Sequence, residues 1–325
     1  MIADFAGERV VSDQTVWKVV QARACATSSR WQDKVSDASG PMPNIAEAVD
    51  IYSEEPEILM HSDAILVTRQ KPKRVRTKRQ WKDGNEDVSS NKKQDSKPFG
   101  SKRTASGRVS TDVAMVQRKS GGYQYLTSGI DENGKEIVSL VDMLRAFFRR
   151  EYAADEFQKP LQVVAITDGA SCIRSQLVQV FGFLITIILD WFHLCKKVRE
   201  KMTMIARSKD EKISHTKQIV RHLWRGEVDE AKNYLAAQVV ARNAGVRDDL
   251  LGYLDKHKSE IINYEKRRAV KKPIGSGRME KGVDLIIGQR QKRGGMSWSD
   301  AGSKALAILT VEQLNGKWKP QIASE

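Results

Sequence analysis

The run Leu161-Gln-Val-Val-Ala-Ile-Thr-Asp168-Gly-Ala170 decides the fold. It is uncharged until it reaches Asp168-Gly169. An apolar run without polar alternation, stopped by an acid and a glycine, reads as a strand covered on both faces. Ser171 to Val180 follows as a helix, with Ile173, Leu177 and Val180 at helical spacing. Phe183-Leu-Ile-Thr-Ile-Ile-Leu189 is a second apolar strand, and it too ends in an acid, Asp190. Trp191 to Ala206 is helical again. A strand, helix, strand, helix succession makes parallel βαβ units.

Upstream the pattern is that of a meander. Ile58 to Val67, Val109 to Gln117 and Tyr123 to Ile130 are strands, the last two joined by Lys119-Ser-Gly-Gly122, a hairpin signal. Val138 to Tyr152 is an amphipathic helix with Leu140, Leu144, Phe147 and Phe148 on one face. Three strands with a hairpin followed by βαβ units predict a mixed five-stranded sheet flanked by helices, the order of the RNase H-like fold. Downstream, residues 200–270 are helical and polar and read as an insertion. Lys271-Lys-Pro-Ile-Gly-Ser-Gly277 breaks the pattern, and Arg278 to Arg290 and Ala301 to Leu314 are helices. The α/β unit spans residues 57–325.

Before it, residues 1–27 hold a helix capped by Ser12. The stretch Gly7 to Trp17 looks like the turn and second helix of a helix-turn-helix, with simple packing as the alternative. Residues 28–56, with Gly40-Pro-Met-Pro43, read as a linker.

The 325 residues carry a formal charge of +14, unevenly spread. Arg69 to Arg108 holds 14 Lys and Arg against 4 Asp and Glu, and so carries +10 of it. Such a segment is either a solvated loop or an arm that displaces counterions from nucleic-acid phosphates. Trp81 within it either stacks on a base or lies on the surface. The three cysteines, Cys25, Cys172 and Cys195, form no metal-ligand or disulfide pattern, and Cys172 and Cys195 read as small core residues. The longest apolar run, Phe181 to Leu189, is about half a membrane span. No signal peptide is visible. The expectation is a cytoplasmic, nucleoid-associated protein with no membrane contact.

Reactive groups in open sheets gather at the carboxyl ends of strands. Asp168 and Asp190 each stand there, Asp63 interrupts the first strand, and Glu280 lies in the first turn of a helix. A carboxylate in an apolar strand needs a partner, and Mg²⁺ accepts such hard oxygen ligands. Each acid also has an ordinary reading: a turn for Asp168, a helix cap for Asp190, a favourable first-turn charge for Glu280.

Together the motifs are more specific. Ala165-Ile-Thr-Asp168-Gly-Ala, Ile188-Leu-Asp190-Trp-Phe-His193-Leu-Cys195-Lys-Lys and Lys272-Pro-Ile-Gly-Ser-Gly-Arg-Met-Glu280-Lys-Gly resemble the DDE transposases of bacterial insertion sequences. The tail Gln289-Arg-Gln-Lys-Arg-Gly-Gly-Met296-Ser-Trp298-Ser is also similar to theirs. The resemblance covers about Glu57 to Trp318.

It implies metal-dependent cleavage at transposon ends and transfer of the freed 3′-hydroxyl into target DNA. Two Mg²⁺ ions, or Mn²⁺, would be held by Asp63, Asp168 and Glu280, with Asp112 as the alternative first acid. Asp190 is the alternative second acid and, with His193, matches the family's acid-x-x-His element. It further implies double-stranded DNA as partner and a homo-oligomer that pairs two ends.

Lys71, Lys73, Arg74, Arg76, Lys78 and Arg79 of the basic segment would contact phosphates. So would His193, Lys271, Lys272, Arg278, Lys292 and Arg293, and Gly275-Ser-Gly277 would offer backbone N–H groups to one of them. His193 either positions a phosphate, orients Asp190 or simply packs. The segment before the catalytic unit and the ending after Lys317-Trp318 are shorter than the family's. The alternative is therefore a truncated or decayed copy that only binds DNA. A nuclease acting on RNA–DNA hybrids shares the fold, but the long polar insertion before Glu280 argues against it.

Overall fold

A computed structural model describes residues 12–70, 107–153, 159–292 and 296–316. Five strands form one sheet: β1 (Ile58–Thr68), β2 (Arg108–Gln117), β3 (Tyr123–Thr127), β4 (Val163–Thr167) and β5 (Thr186–Leu189). Their order is β3-β2-β1-β4-β5. The first three run antiparallel, while β4 and β5 run parallel to β1. Helices flank the sheet, and the arrangement is RNase H-like.

Cross-strand partners share a face, and this divides the core. Asp63 stands opposite Val113, and Ala64 opposite Asp112. On the Asp63 face, Ile65, Val67, Val113 and Met115 pack against three helices: α1 (Asp13–Ser36), α9 (Gly277–Val283) and α10 (Asp300–Leu314). On the other face, Met60, Ala114 and Val116 pack against α2 (Leu140–Glu151) and α3 (Ser171–Phe181). The hydroxyl of Ser139 caps α2 by accepting the Asp142 N–H at 3.1 Å, which releases the amphipathic pattern at the right residue.

Beyond β5, α4 (Trp191–Ile205) leads into α5 (Lys209–Trp224), α6 (Val228–Ala237), α7 (Ala244–Lys256) and α8 (Tyr264–Ala269). This is the helical insertion. Its Leu223, Leu235, Leu250 and Leu254 share one apolar core with Leu59, Val164, Ile166 and Ile188 of the sheet. The last turns of α9 widen into a π-type helix over Asp284–Lys292. No helix among the described residues is long and apolar enough to cross a membrane.

Several sequence expectations change. The first helix does not stop near residue 27 but runs on to Ser36, taking part of the expected linker into the fold. The pattern there is weak because its buried side include Thr27 and Ser28 beside Ala24 and Trp31. The Trp31 indole donates to the Glu312 carboxylate on α10 at 2.9 Å. The C-terminal half of this helix is therefore packed against the fold, while Val16, Trp17 and Val19 near its start are exposed; the turn expected before it, residues 7–11, lies outside the described residues.

Ile45 bridges to Leu161, so the end of that stretch is also held to the sheet. The apolar run at Phe183 begins with a 3₁₀ turn, Gly182–Leu184, and leaves Phe183 93% exposed. Cys172 is exposed rather than a core residue, whereas Cys195 is buried.

Candidate functional site

Parallel pairing brings His61 of β1 beside Ile166 of β4. Asp63 lies two residues further along β1, and Asp168 one residue past the end of β4. Their charges interact: burial raises the Asp63 carboxyl above its ordinary pKa, and the charge of Asp168 raises it further. His193 and Lys292 oppose that shift. Asp112 lies on the other face, where its carboxylate accepts the Gln176 amide of α3 at 2.8 Å. Of the two alternatives for the first acid, the one facing Asp168 is Asp63.

His193 is the common neighbour. Contact with Asp190, 3.4 Å from its Nδ1, raises the imidazole pKa against the effect of burial. The charges of Asp168 and Glu280 raise it too. Asp63 is the fourth acid whose charge acts on this ring. One imidazole at the N-terminus of α4 thus feels the charges of acids on β1, past the end of β4 and on α9. Asp168 and Glu280 are exposed, and Asp63 is half-buried. Asp168 uses one oxygen to accept the Ala170 N–H at 2.8 Å.

Asp190 does different work. It is fully buried and N-caps α4, accepting the His193 N–H at 2.8 Å. Its second oxygen accepts the N–H of Ser276, the residue before α9. Burial alone would push this carboxyl up; its hydrogen bonds from His193 and Ser276 prevail and hold it at about 2. Both oxygens are engaged, so Asp190 is a clamp that ties the start of α9 to the end of β5. The Ser276 N–H is therefore committed to Asp190 rather than open to a phosphate. Gly275 makes the approach possible, because a Cβ there would stand 2.6 Å from the Phe192 ring.

The other basic residues fall into two groups. Arg278 and Lys292 are exposed beside the acids; the Arg278 guanidinium donates to the Tyr123 hydroxyl at 2.7 Å. Lys271 is exposed at a positive φ of 59°. Lys272 departs from the expectation. Its side chain is 10% exposed and its ammonium lies 3.1 Å from Glu57, so it is turned inward. Lys71, Lys73, Arg74, Arg76, Lys78, Arg79, Trp81 and Arg293 lie outside the described residues.

Two supports escaped sequence reading. Arg267, wholly buried, donates to Glu57, to the Pro273 carbonyl at 2.7 Å and to the Ile51 carbonyl at 3.1 Å. This fixes the loop that leads to Glu280. Beneath Asp168, buried His257 lies 2.6 Å from Glu260, which also pairs with Arg174. Gly169 sits on that ring with φ 86°, where a Cβ would lie 2.9 Å from His257 Cε1. His61 is 1% exposed without a hydrogen-bond partner for either ring nitrogen, and burial lowers its pKa to about 4. It is a neutral imidazole in the wall of the site.

Among the described residues no three His, Cys, Asp or Glu side chains stand close enough together to hold a metal ion as they are placed. Asp63, Asp168 and Glu280 are hard oxygen donors of the kind that suits a divalent cation, and the charge of Asp168 raises the cost of ionising Asp63. A cation there would relieve that repulsion. Compared with known protein families, with curated proteins and with solved structures, the chain has no match.

Proposed function

We propose that the chain is a DNA transposase of the DDE type, cutting strands at transposon ends and joining the freed 3′-hydroxyl to target DNA. The observation that supports this reading is that Asp63, Asp168 and Glu280 all act electrostatically on His193, the residue three positions past Asp190 at the end of β5. These acids come from three distant chain positions, as in the motifs the chain resembles.

Asp63, Asp168 and Glu280 would hold Mg²⁺ or Mn²⁺. When bound, a pair of such cations supplies Lewis-acid activation of water and of a 3′-hydroxyl and neutralises charge at phosphorus. The protein's own groups do the rest. Asp190 fixes the α9 start, and so the position of Glu280, against the end of β5. Gly169, resting on His257, lets the Asp168 turn sit close to the sheet. His193, with its proton retained by the surrounding acids, donates to a scissile or neighbouring phosphate. Arg278, Lys271 and Lys292 set the register of the DNA backbone without reading bases. Double-stranded DNA is the partner, and a homo-oligomer would bring two ends together.

The test is cleavage of duplexes carrying the DNA that flanks the gene on either side, with and without Mg²⁺. Cleavage that needs the metal and is lost in Asp168→Ala, with binding retained, supports the reading. Binding without cleavage by the intact chain would leave only a DNA-binding protein.

A further inference from the structure

α4 and α5 form a helical hairpin that lines a groove of about 560 Å³. Trp191 and Trp224 close one end, their rings 4.9 Å apart and both resting on buried Tyr264. α5 carries more apolar surface than the core uses. Ile219 and Leu223 are wholly buried and fill its inner face. Ile213, Val220 and Trp224 recur at seven- and four-residue spacing and make a second stripe, about 16 Å long at helical rise. This stripe faces the open groove, and Ile213 on it is 58% exposed. It has the period of a helix–helix seam.

Cations flank the stripe. By helical phase Lys217 and Arg221 lie on one side of it and Lys212 on the other, where Arg199 of α4 joins it. The ion pairs of the insertion engage other cations: Lys201 with Asp249, Arg225 with Glu265, Lys232 with Asp255 and Lys258 with Asp229. The Thr216 hydroxyl lines the groove without a hydrogen-bond partner among the described residues. An inorganic anion would leave the apolar stripe open to water. A DNA backbone would lay phosphates along it. A wholly apolar segment would strand four cations. The complement is a helix whose apolar stripe is flanked on both sides by Asp or Glu, because charges beside a helical seam select its partner.

We infer that this groove docks an acidic amphipathic helix of a partner protein. The apolar stripe of that helix packs between α4 and α5 as a ridge in a groove. Its carboxylates meet Lys217 and Arg221 on one side, Arg199 and Lys212 on the other, and give the Thr216 hydroxyl an acceptor. The chain itself carries +14, so the acidic helix belongs to another protein rather than to a second copy. Trp191 follows Asp190 directly, so the partner stands beside the clamp that holds α9. The inference goes beyond the reading of the chain as a transposase and does not depend on it.

A fluorescein-labelled synthetic helix of about 18 residues, about five turns, serves as probe, with Leu at heptad positions a and d and Glu at e and g. One companion peptide carries Lys at e and g, and another carries Ala at a and d. In anisotropy titrations the full chain should bind the Glu peptide at least about tenfold more tightly than either companion. Lys217→Glu/Arg221→Glu, both at exposed positions, should invert the charge preference, so that the Lys peptide binds better. Ile213→Gln should weaken the Glu peptide at least about tenfold, the scale of one buried isoleucine, with denaturant unfolding unchanged. Adhesion of the peptide to the basic segment would survive both variants. Equal binding of the Glu and Lys peptides, or a preference that the charge-reversed variant keeps, overturns the inference. If that variant loses duplex binding while its peptide preference is unchanged, the groove belongs to DNA; if it loses self-association in sedimentation instead, the groove belongs to a second copy. Either result also overturns the inference. None of these readouts uses metal-dependent cleavage, so the transposase reading stands or falls separately.

Discussion

The Asp190 carboxylate accepts the backbone N–H of Ser276, closing a contact across 86 residues of chain that contain the whole helical insertion. Its other oxygen caps α4. One acid thereby fixes the start of the His193 helix and the start of the Glu280 helix to the same strand end.

Replacing it with Asn keeps the shape and removes the charge. Hydrogen bonds to a charged group each contribute about 1.5–3 kcal/mol, so Asp190→Asn should lower stability by about 2 kcal/mol at neutral pH. The carboxyl sits at about 2 in the folded chain against 3.8 for a free side chain. A depressed pKa stabilises the fold fully above the unfolded value, and that stability is lost as pH falls through the folded one. The wild-type advantage should shrink between pH 4 and pH 2. Denaturant unfolding across that range measures it; a gap that stays constant to pH 2 would mean the charge does not act as the clamp.

The two candidate first acids occupy opposite faces of the sheet, which gives a sharp comparison. Asp63→Asn, Asp168→Asn and Glu280→Gln should each reduce metal-dependent cleavage at least about 100-fold, equivalent to about 2.7 kcal/mol of barrier. DNA binding should persist. Asp112→Asn, whose carboxylate meets Gln176, should cleave within a few-fold of wild type. If Asp112→Asn is as inactive as Asp63→Asn, the sheet face of the reaction has been assigned wrongly.

Gly169→Ala tests the seat of the Asp168 turn. The added methyl would meet His257 and Leu189 at 2.9 Å, on a backbone with φ 86°. A left-handed non-glycine residue alone costs of order 1 kcal/mol, and the clash adds to it. Stability should fall by about 2 kcal/mol, with cleavage falling further than stability explains. A fully active variant would show that the turn tolerates displacement.

Arg267→Ala would leave the Glu57 carboxylate buried without its guanidinium, with only Lys272 beside it. Breaking a buried pair costs about 3–5 kcal/mol. The loss should exceed that of Lys272→Ala in thermal unfolding, because Arg267 also holds the Ile51 and Pro273 carbonyls. Equal losses would argue that Arg267 packs but does not organise the loop.

Strands and βαβ units were legible because apolar runs such as Val163–Thr167 carry their own ends, an acid followed by glycine. Asp63, Asp168 and Glu280 were legible as candidates because each sits where an acid is unusual or reactive groups gather. The supports were not. Arg267 and Lys272 stand among other basic residues, and only their pairing with Glu57, more than 200 positions away, turns them inward. The clamp role of Asp190 had a local half, the N-cap, that sequence reading offered; the other half requires a loop folded back from residue 276. The α1 extension to Ser36 was hidden because its buried side uses threonine and serine, which carry no hydrophobic period.

The residues that flank the basic segment can be placed relative to the acids by register. β1 runs on five residues past Asp63 to Thr68, roughly 17 Å at strand rise. There Arg69 is pinned by Asp300 at 2.9 and 3.0 Å, and its N–H meets the Gly107 carbonyl. The last described residues on either side of the segment, Gln70 and Gly107, therefore lie beyond Asp63 along the sheet. Residues 89–106 hold five Lys and Arg against one Asp. Each phosphate neutralised contributes about −0.9 to the slope of log affinity against log salt. Deleting Ser89–Ser106 should weaken DNA binding and flatten that slope by up to about 4, while catalysis at saturating DNA changes little. Titrations at several salt concentrations measure it. An unchanged slope would assign the charge to a solvated linker and leave Arg278, Lys271 and Lys292 as the electrostatic contacts beside the acids.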